Sequence, residues 1–333
     1  MSAQTTLPRV AVVGAGAIGG YLAAQLQRQQ AAQVQVMARG ESLRALRSRG
    51  LRLHEGDQHS DIALRASDDA TAMGEQDWVI LAVKAPALAE VAGAIGPLLG
   101  EHTRVLVAMN GVPWWFFQAG YGQALSGTRL HSADPEGRIE AAIATERVIG
   151  CVVHMSAAHL GPAEIRHVAG RRLIMGEPDH SLSPALTQMA ACLRCAGLDV
   201  EVSSDIQRDI WYKLWGNLTM NPLSALTGAS CDRLLDDELV RGYASAIMRE
   251  AQAIGRHFGC DIDQDPEARH AVTRQLGAFK TSMLQDLEAA RPLELDAIVS
   301  TVREMGQVAG LATPHLDALL GLTRLMAQTR GLY

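Results

Sequence analysis

The chain has 333 residues, which at roughly 150 per domain is enough for two domains with their own cores and excludes a single small module. Its 30 Lys and Arg stand against 36 Asp and Glu, a net charge of −6, so no overall basic field gathers a phosphate backbone and nucleic acid is excluded as a partner. With 48% hydrophobic and 20% charged residues and 31 glycines, the composition is that of a soluble α/β protein, neither disordered nor fibrous.

No apolar run approaches the ~18 residues that would cross a bilayer, and MSAQTTLPRVAVV has no basic stretch leading into a signal-like apolar core. A cytoplasmic location without membrane partners is expected. The 5 cysteines are an odd number scattered through a long chain, which points to free thiols. Cys192 and Cys195 make a C-x-x-C without a second such pair or a His pair, so they read as small residues on a packed helix and no metal site is expected.

In chain order, RVAVV (9–13) is followed by GAGAIGG, a helical YLAAQLQRQQ and a second strand VQVMAR ending at Arg39. Further apolar runs lie at IALRA (62–66), WVILAVK (78–84) and RVLVAMNG (104–111), with a helical PALAEVAGAIGPLL before the last. Strands alternating with helices at this spacing predict βαβ units and a parallel sheet covered on both faces. After Asn110 the pattern changes to PWWFFQAGYGQAL, a turn-like DPEG, and shorter strands VIGCVVHMSAA, AEIRHVA and RRLIMGE, read as additions to the sheet edge. The helix SPALTQMAACLRCAG and the strand DVEVSS close the first domain, expected over 1–203. From there strand patterns vanish and amphipathic stretches predict an all-helical domain over 204–333.

Gly14, Gly16 and Gly19 form G-x-G-x-x-G between a predicted strand and a predicted helix, where the pattern means dinucleotide binding. The first glycine permits the turn, the second lets backbone approach a pyrophosphate, and the third lets helix and strand pack. Candidate cofactor contacts are therefore Gly14, Ala15, Gly16, Ala17, Ile18 and Gly19. An NAD enzyme usually ends its second strand with an acidic residue, but here the residue is Arg39, whose guanidinium suits a 2′-phosphate. NADPH/NADP+ is the expected cofactor, with Glu41 as the residue that would still serve a ribose.

In DIQRDIWYKLWGNLTMNPLSALTG, Lys213, Asn217 and Asn221 follow at four-residue steps, advance about 40° each and share one helix face. Their neighbours Trp211, Leu214, Trp215 and Leu218 are large and apolar. Pro222 predicts a kink or break at Asn221. A second cluster, KTSMLQD (280–286), precedes RPLELD (291–296), where Pro292 is expected to start a helix with Glu294 in its first turn.

Together GAGAIGG (14–20), VKAPAL (83–88), MNG (109–111), KLWGNLTMNPLSALTG (213–228) and KTSMLQDLEAARPLELD (280–296) resemble the ketopantoate reductases, or 2-dehydropantoate 2-reductases. The resemblance runs in order from about Val10 to Pro314. It implies a Rossmann-type N-terminal domain and an all-α C-terminal domain like that of 6-phosphogluconate dehydrogenase. It also implies NADPH-dependent reduction of 2-dehydropantoate to pantoate, a step of pantothenate biosynthesis. On it, Lys213 matches the proton donor and Glu294 the essential acidic residue. Asn217, Asn221 and Ser282 match residues that hold the substrate's carboxylate and hydroxyl groups. Asn110 matches an asparagine where cofactor and substrate meet, and Lys84 a cofactor contact.

Two features depart from the family pattern. VPWWFFQAGYG replaces a turn rich in small residues, so Trp114 and Trp115 either wall the substrate pocket or pack a longer loop. Cys231 stands where an asparagine contacts substrate. A reductase of a bulkier 2-oxo acid on the same scaffold is thus the near alternative, and a non-enzymatic dinucleotide-responsive regulator the alternative of another class. Apolar C-terminal helices leave a homodimer open.

Overall fold

The computed structural model describes residues 6–122 and 125–333. Residues 1–5 of the N-terminal stretch and 123–124 of the loop after Asn110 lie outside the described residues. The chain forms two compact units. The first combines Met1–Met109 with Arg138–Ile206, and the second combines Asn110–Gly137 with Gln207–Tyr333.

The first unit is built on one sheet. Its elements are β1 (Arg9–Val13), α1 (Ala17–Arg28), β2 (Gln33–Met37), α2 (Gly40–Arg49), β3 (Leu51–Glu55), β4 (Gln58–Ile62), β5 (Arg65–Ser67), α3 (Ala70–Met73), β6 (Gln76–Leu81), α4 (Leu88–Ala94), β7 (Leu99–Val107), α5 (Arg138–Ala142), β8 (Val148–Gly161), β9 (Glu164–Gly176), α6 (Pro184–Cys195) and β10 (Asp199–Val202). Strand order is β4-β3-β9-β8-β7-β6-β1-β2-β5, with β10 also on β9. The stretch β8-β7-β6-β1-β2-β5 is parallel throughout. Val10, Val12, Val79 and Leu81 are buried, as expected of parallel strands covered on both faces.

Helix α1 is enclosed by this sheet. Its residues Gly19–Leu26 are buried, and a Cβ on Gly20 would lie 3.2 Å from both Leu51 and Ile165 of β3 and β9. The long β8–β9 hairpin reaches α1, where Tyr21 stacks on His167 with ring centroids 4.5 Å apart.

Three expectations change here. The later strands do not extend an edge: β8 and β9 lie inside the order, because β9 pairs along its first half with β3 and along its second half with β10. The run IALRA is not one strand, since β4 ends at Ile62 and β5 starts at Arg65. Finally, 110–137 packs with the helical unit and not with the sheet. Its aromatic residues explain this: Phe116 meets Trp211, and Phe117 meets Phe258 edge-on at 5.2 Å.

The second unit adds α7 (Ile206–Thr227), α8 (Cys231–Asp236), α9 (Glu238–His257), α10 (Pro266–Arg274), α11 (Ser282–Glu288), a π-helical turn Asp296–Ser300, α12 (Thr301–Val308) and α13 (Pro314–Thr329). The packing boundary falls after Ile206, inside the first turn of α7, whereas loss of the strand pattern marks Ser203. Helix starts are set by side-chain caps: Asp237 accepts from the amides of Leu239 and Val240, Asp265 from Glu267, and Thr281 from Leu284. Helix α7 runs unbroken through Pro222. Residues 220–225 are all buried, so packing offsets the lost amide bond and no break forms. Among the described residues no helix is long and apolar enough to cross a membrane.

One buried charge ties the sheet unit together. Glu177, just after β9, accepts from Arg104 Nη2 at 2.8 Å, Ser181 Oγ at 2.9 Å and the Ser183 amide at 2.8 Å. Removing it deprives Arg104 of its carboxylate, leaving the guanidinium the Glu146 carbonyl and the Ser183 hydroxyl, and loosens the Ser183 cap of α6. Glu177→Ala should therefore cost about 3–5 kcal/mol and lower the melting temperature by on the order of 10 °C, which thermal denaturation followed by circular dichroism will read.

Candidate active site

The glycine loop shows why each glycine is needed. Gly14 has φ +103°, and a Cβ there would lie 2.7 Å from the Ala82 carbonyl oxygen. At Gly19 a Cβ would come within 2.0 Å of the Gly14 carbonyl oxygen. At Gly16 it would meet nothing within 4 Å. Two positions are closed by the protein's own backbone, while the third presents bare backbone to open space at the N-cap of the twelve-residue α1. Here helix amides and the positive end of the dipole face outward, so the loop fits a dinucleotide pyrophosphate. Ala15 is buried and Ile18 half-buried beside it.

Arg39 is the N-cap residue of α2, beyond the end of β2 at Met37, and Gly40 follows with φ +57°. Its guanidinium pairs with Glu90 on α4, which raises the Arg39 pKa and lowers that of Glu90 through their hydrogen bond and mutual charge. Glu41 stands in the first turn of α2, 3.7 Å from Arg44. Lys84 is half-buried at the exit of β6, whose Ala82 and Val83 run against Gly14. Of the cofactor residues named from sequence, Gly14, Ala15, Gly16, Arg39 and Lys84 thus follow β1, β2 and β6, adjacent parallel strands, Ala17, Ile18 and Gly19 open α1, and Asn110 follows β7 as part of the second unit. Glu90 carried no sequence signal beyond its charge.

In the second unit, α7 carries Lys213, Asn217 and Asn221 at four-residue steps. Lys213 Nζ donates to Asn110 Oδ1 at 2.8 Å. Asn217 is half-buried. Asn221 is 4% exposed and its Nδ2 has no hydrogen-bond partner. A buried amide left unpaired costs about 1–3 kcal/mol. Near it, Ser224 Oγ lies 2.6 Å from Oγ1 of Thr281, the N-cap of α11. This bond joins the Asn221 turn of α7 to the start of α11, where Ser282 is the first residue and is exposed.

Asn110 is aimed by its neighbours. Gly111 has φ +86°, and a Cβ on it would fall 2.3 Å from the Ala297 carbonyl oxygen. The same oxygen accepts from the Val112 amide at 2.8 Å. The turn after β7 is therefore fastened to the π-helical segment, a helix irregularity frequent at functional sites. Nothing in the sequence marked a π turn there.

Glu294 lies just ahead of this segment and is 7% exposed. It is not in the first turn of a helix started by Pro292, because helical structure begins at Leu295. A backbone hydrogen bond holds the preceding residues out of the helix: the Leu293 amide donates to the Leu332 carbonyl at 3.0 Å. Arg291 is fixed by the buried Asp286 at 3.0 Å, and Tyr333 donates to Asp296 at 2.8 Å. Burial beside the Asp296 carboxylate pushes the Tyr333 phenol up to about 12.

Trp114 and Trp115 are 2% and 1% exposed, core residues of the 110–137 segment. Cys231 is buried at the start of α8, where burial pushes its thiol up to about 11. Cys192 donates to the Ala31 carbonyl at 3.3 Å, and burial pushes it up to about 11 as well, so the C-x-x-C has no reactive thiolate at that position.

Two family profiles match this chain. One described as ketopantoate reductase PanE/ApbA covers residues 10–114, and one described as its C terminal covers 205–327. A 2-dehydropantoate 2-reductase of Mesorhizobium japonicum is 45% identical over 98% of this chain and 99% of its own. A solved structure from Ralstonia solanacearum MolK2, presented as a candidate ketopantoate reductase, superposes with a TM-score of 0.94 at 57% identity, over 98% of this chain and 100% of that one. The 2-dehydropantoate 2-reductase of Geobacter metallireducens GS-15 gives 0.84 at 27% identity, over 96% and 99%. Profile matches on both sides of the chain's midpoint, a relative matched end to end and the same fold in solved relatives converge: this chain belongs to the ketopantoate reductase family.

Proposed function

We propose that this protein reduces 2-dehydropantoate to pantoate with NADPH, in a cytoplasmic setting. The observation that carries the reading is the 2.8 Å hydrogen bond that sets the Lys213 ammonium on Asn110, on the helix face that also holds Asn217 and Asn221. A ketone reduction is assisted by a proton donor at the oxygen where negative charge grows, and amide groups beside it can fix a carboxylate. The 45% identical 2-dehydropantoate 2-reductase supports the choice of acid.

The glycine loop from Gly14 to Gly19 would hold a nicotinamide dinucleotide, whose reduced form would supply the hydride for the ketone carbon. Lys213 hydrogen-bonds the ketone oxygen, stabilises the developing alkoxide and donates the proton to it. Asn110 Oδ1 accepts one N–H of the ammonium and so helps to orient it. Asn217, the unpaired Nδ2 of Asn221 and the Ser282 hydroxyl are donors suited to the substrate's carboxylate and hydroxyl groups. Glu294 is the acidic acceptor of the set. Trp114 and Trp115 are buried and their indole nitrogens have no hydrogen-bond partner, so their packing favours neither acid over the other.

Steady-state oxidation of NADPH with 2-dehydropantoate, beside pyruvate, 2-oxoisovalerate and phenylglyoxylate, tests the substrate; faster turnover of another acid reassigns it. Lys213→Ala should lower kcat at least ~10²-fold with cofactor affinity kept, and near-normal turnover removes lysine from the mechanism. Asn217→Ala and Ser282→Ala should act mainly on KM for the acid. Asn221→Leu separates stability from function: it should raise stability by about 1 kcal/mol by removing a stranded amide, while raising KM for the acid, and a loss of both would give Asn221 a structural role. Arg39→Ala should raise KM for NADPH far more than for NADH; equal effects refute the 2′-phosphate assignment.

A further inference from the structure

We propose that Glu90 is a specificity-determining residue for the cofactor, competing with the 2′-phosphate for Arg39; this rests on the reading of Arg39 given above. In the sheet, β1 lies between β6 and β2, all parallel, so the loops after these strands emerge along one edge. Arg39 follows β2, and Glu90 sits on α4 after β6. Their ion pair joins the two strands that flank the glycine loop.

Both side chains are well exposed, at 59% and 68%. An exposed pair of this kind contributes little to stability, so α4 does not need it to fold or to stay in place. Its effect falls on the ligand. A 2′-phosphate brings up to two negative charges to the Arg39 guanidinium, whose hydrogen-bond donors are partly engaged by a carboxylate that also repels the phosphate. A ribose 2′-hydroxyl carries no charge to be repelled, and it can donate to Glu90. Glu90 therefore narrows the gap between the phosphorylated and the unphosphorylated dinucleotide that Arg39 alone would open. Glu41, on the same rim but 3.7 Å from Arg44, does not engage Arg39 in this way.

Adenosine 2′,5′-bisphosphate and AMP isolate the phosphate from the rest of the cofactor. Titration calorimetry of both probes against the full-length protein should show Glu90→Gln tightening the bisphosphate about three- to tenfold while AMP changes by less than about twofold, with the gain shrinking as salt is raised. An unchanged ratio of the two affinities in Glu90→Gln overturns the proposal, provided Arg39→Ala still weakens the bisphosphate selectively. Should Arg39→Ala weaken both probes alike, it is the assignment of Arg39 that fails. The KM ratio of NADPH to NADH in Glu90→Gln should fall in parallel; a rise contradicts the proposal.

Discussion

At Gly14, Gly19 and Gly111 the backbone runs so close to another stretch of backbone that no β-carbon fits, and the functional geometry of both units depends on that closeness. In the sheet unit, α1 rests on the carbonyl of its own preceding turn and thereby brings its amide-bearing end up to Gly16. In the helical unit, Gly111 lies on Ala297, and Val112 is hydrogen-bonded to it. Hard contacts between backbones set positions that flexible side chains would leave loose. Asn110 is the polar group set directly beside one of these fixed points, Gly111.

The helical unit combines a rigid frame with deliberately unsatisfied polarity. Packing around α7 is dense enough to carry a proline inside the helix, yet the same helix keeps a buried amide nitrogen without a partner. A buried donor left without a partner costs stability that the surrounding packing offsets. The C-terminal residues contribute to the frame in an unobtrusive way, since Leu332 and Tyr333 hold the stretch from Leu293 to Asp296 around Glu294.

Much of this was legible in the amino-acid order. Buried parallel strands read as continuous apolar runs, and the four-residue spacing of Lys213, Asn217 and Asn221 places them on one helix face. What escaped did so for physical reasons. QHSDI of β4 is mostly exposed and polar, so it lacks the strand signal. The pairing of β3 with β9 joins residues far apart in sequence, and no local pattern encodes it. The segment 110–137 falls between strands in the chain, yet its aromatic side chains pack on the helices, a pairing that no local pattern encodes. Lys213 was found by spacing; its hydrogen bond to Asn110 depends on tertiary packing that spacing does not contain.

The π-helical turn from Asp296 to Ser300 carries one more consequence. A π turn is an α-helix with a residue too many. Loss of a single residue there would return the helix to regular hydrogen bonding and also rotate everything on one side of the deletion by about 100° around the axis. The Ala297 carbonyl and Glu294 lie at this junction, so the deletion would break their common register. The extra residue thus acts as a phase shift in the helix, trading local regularity for agreement between two distant stretches of chain.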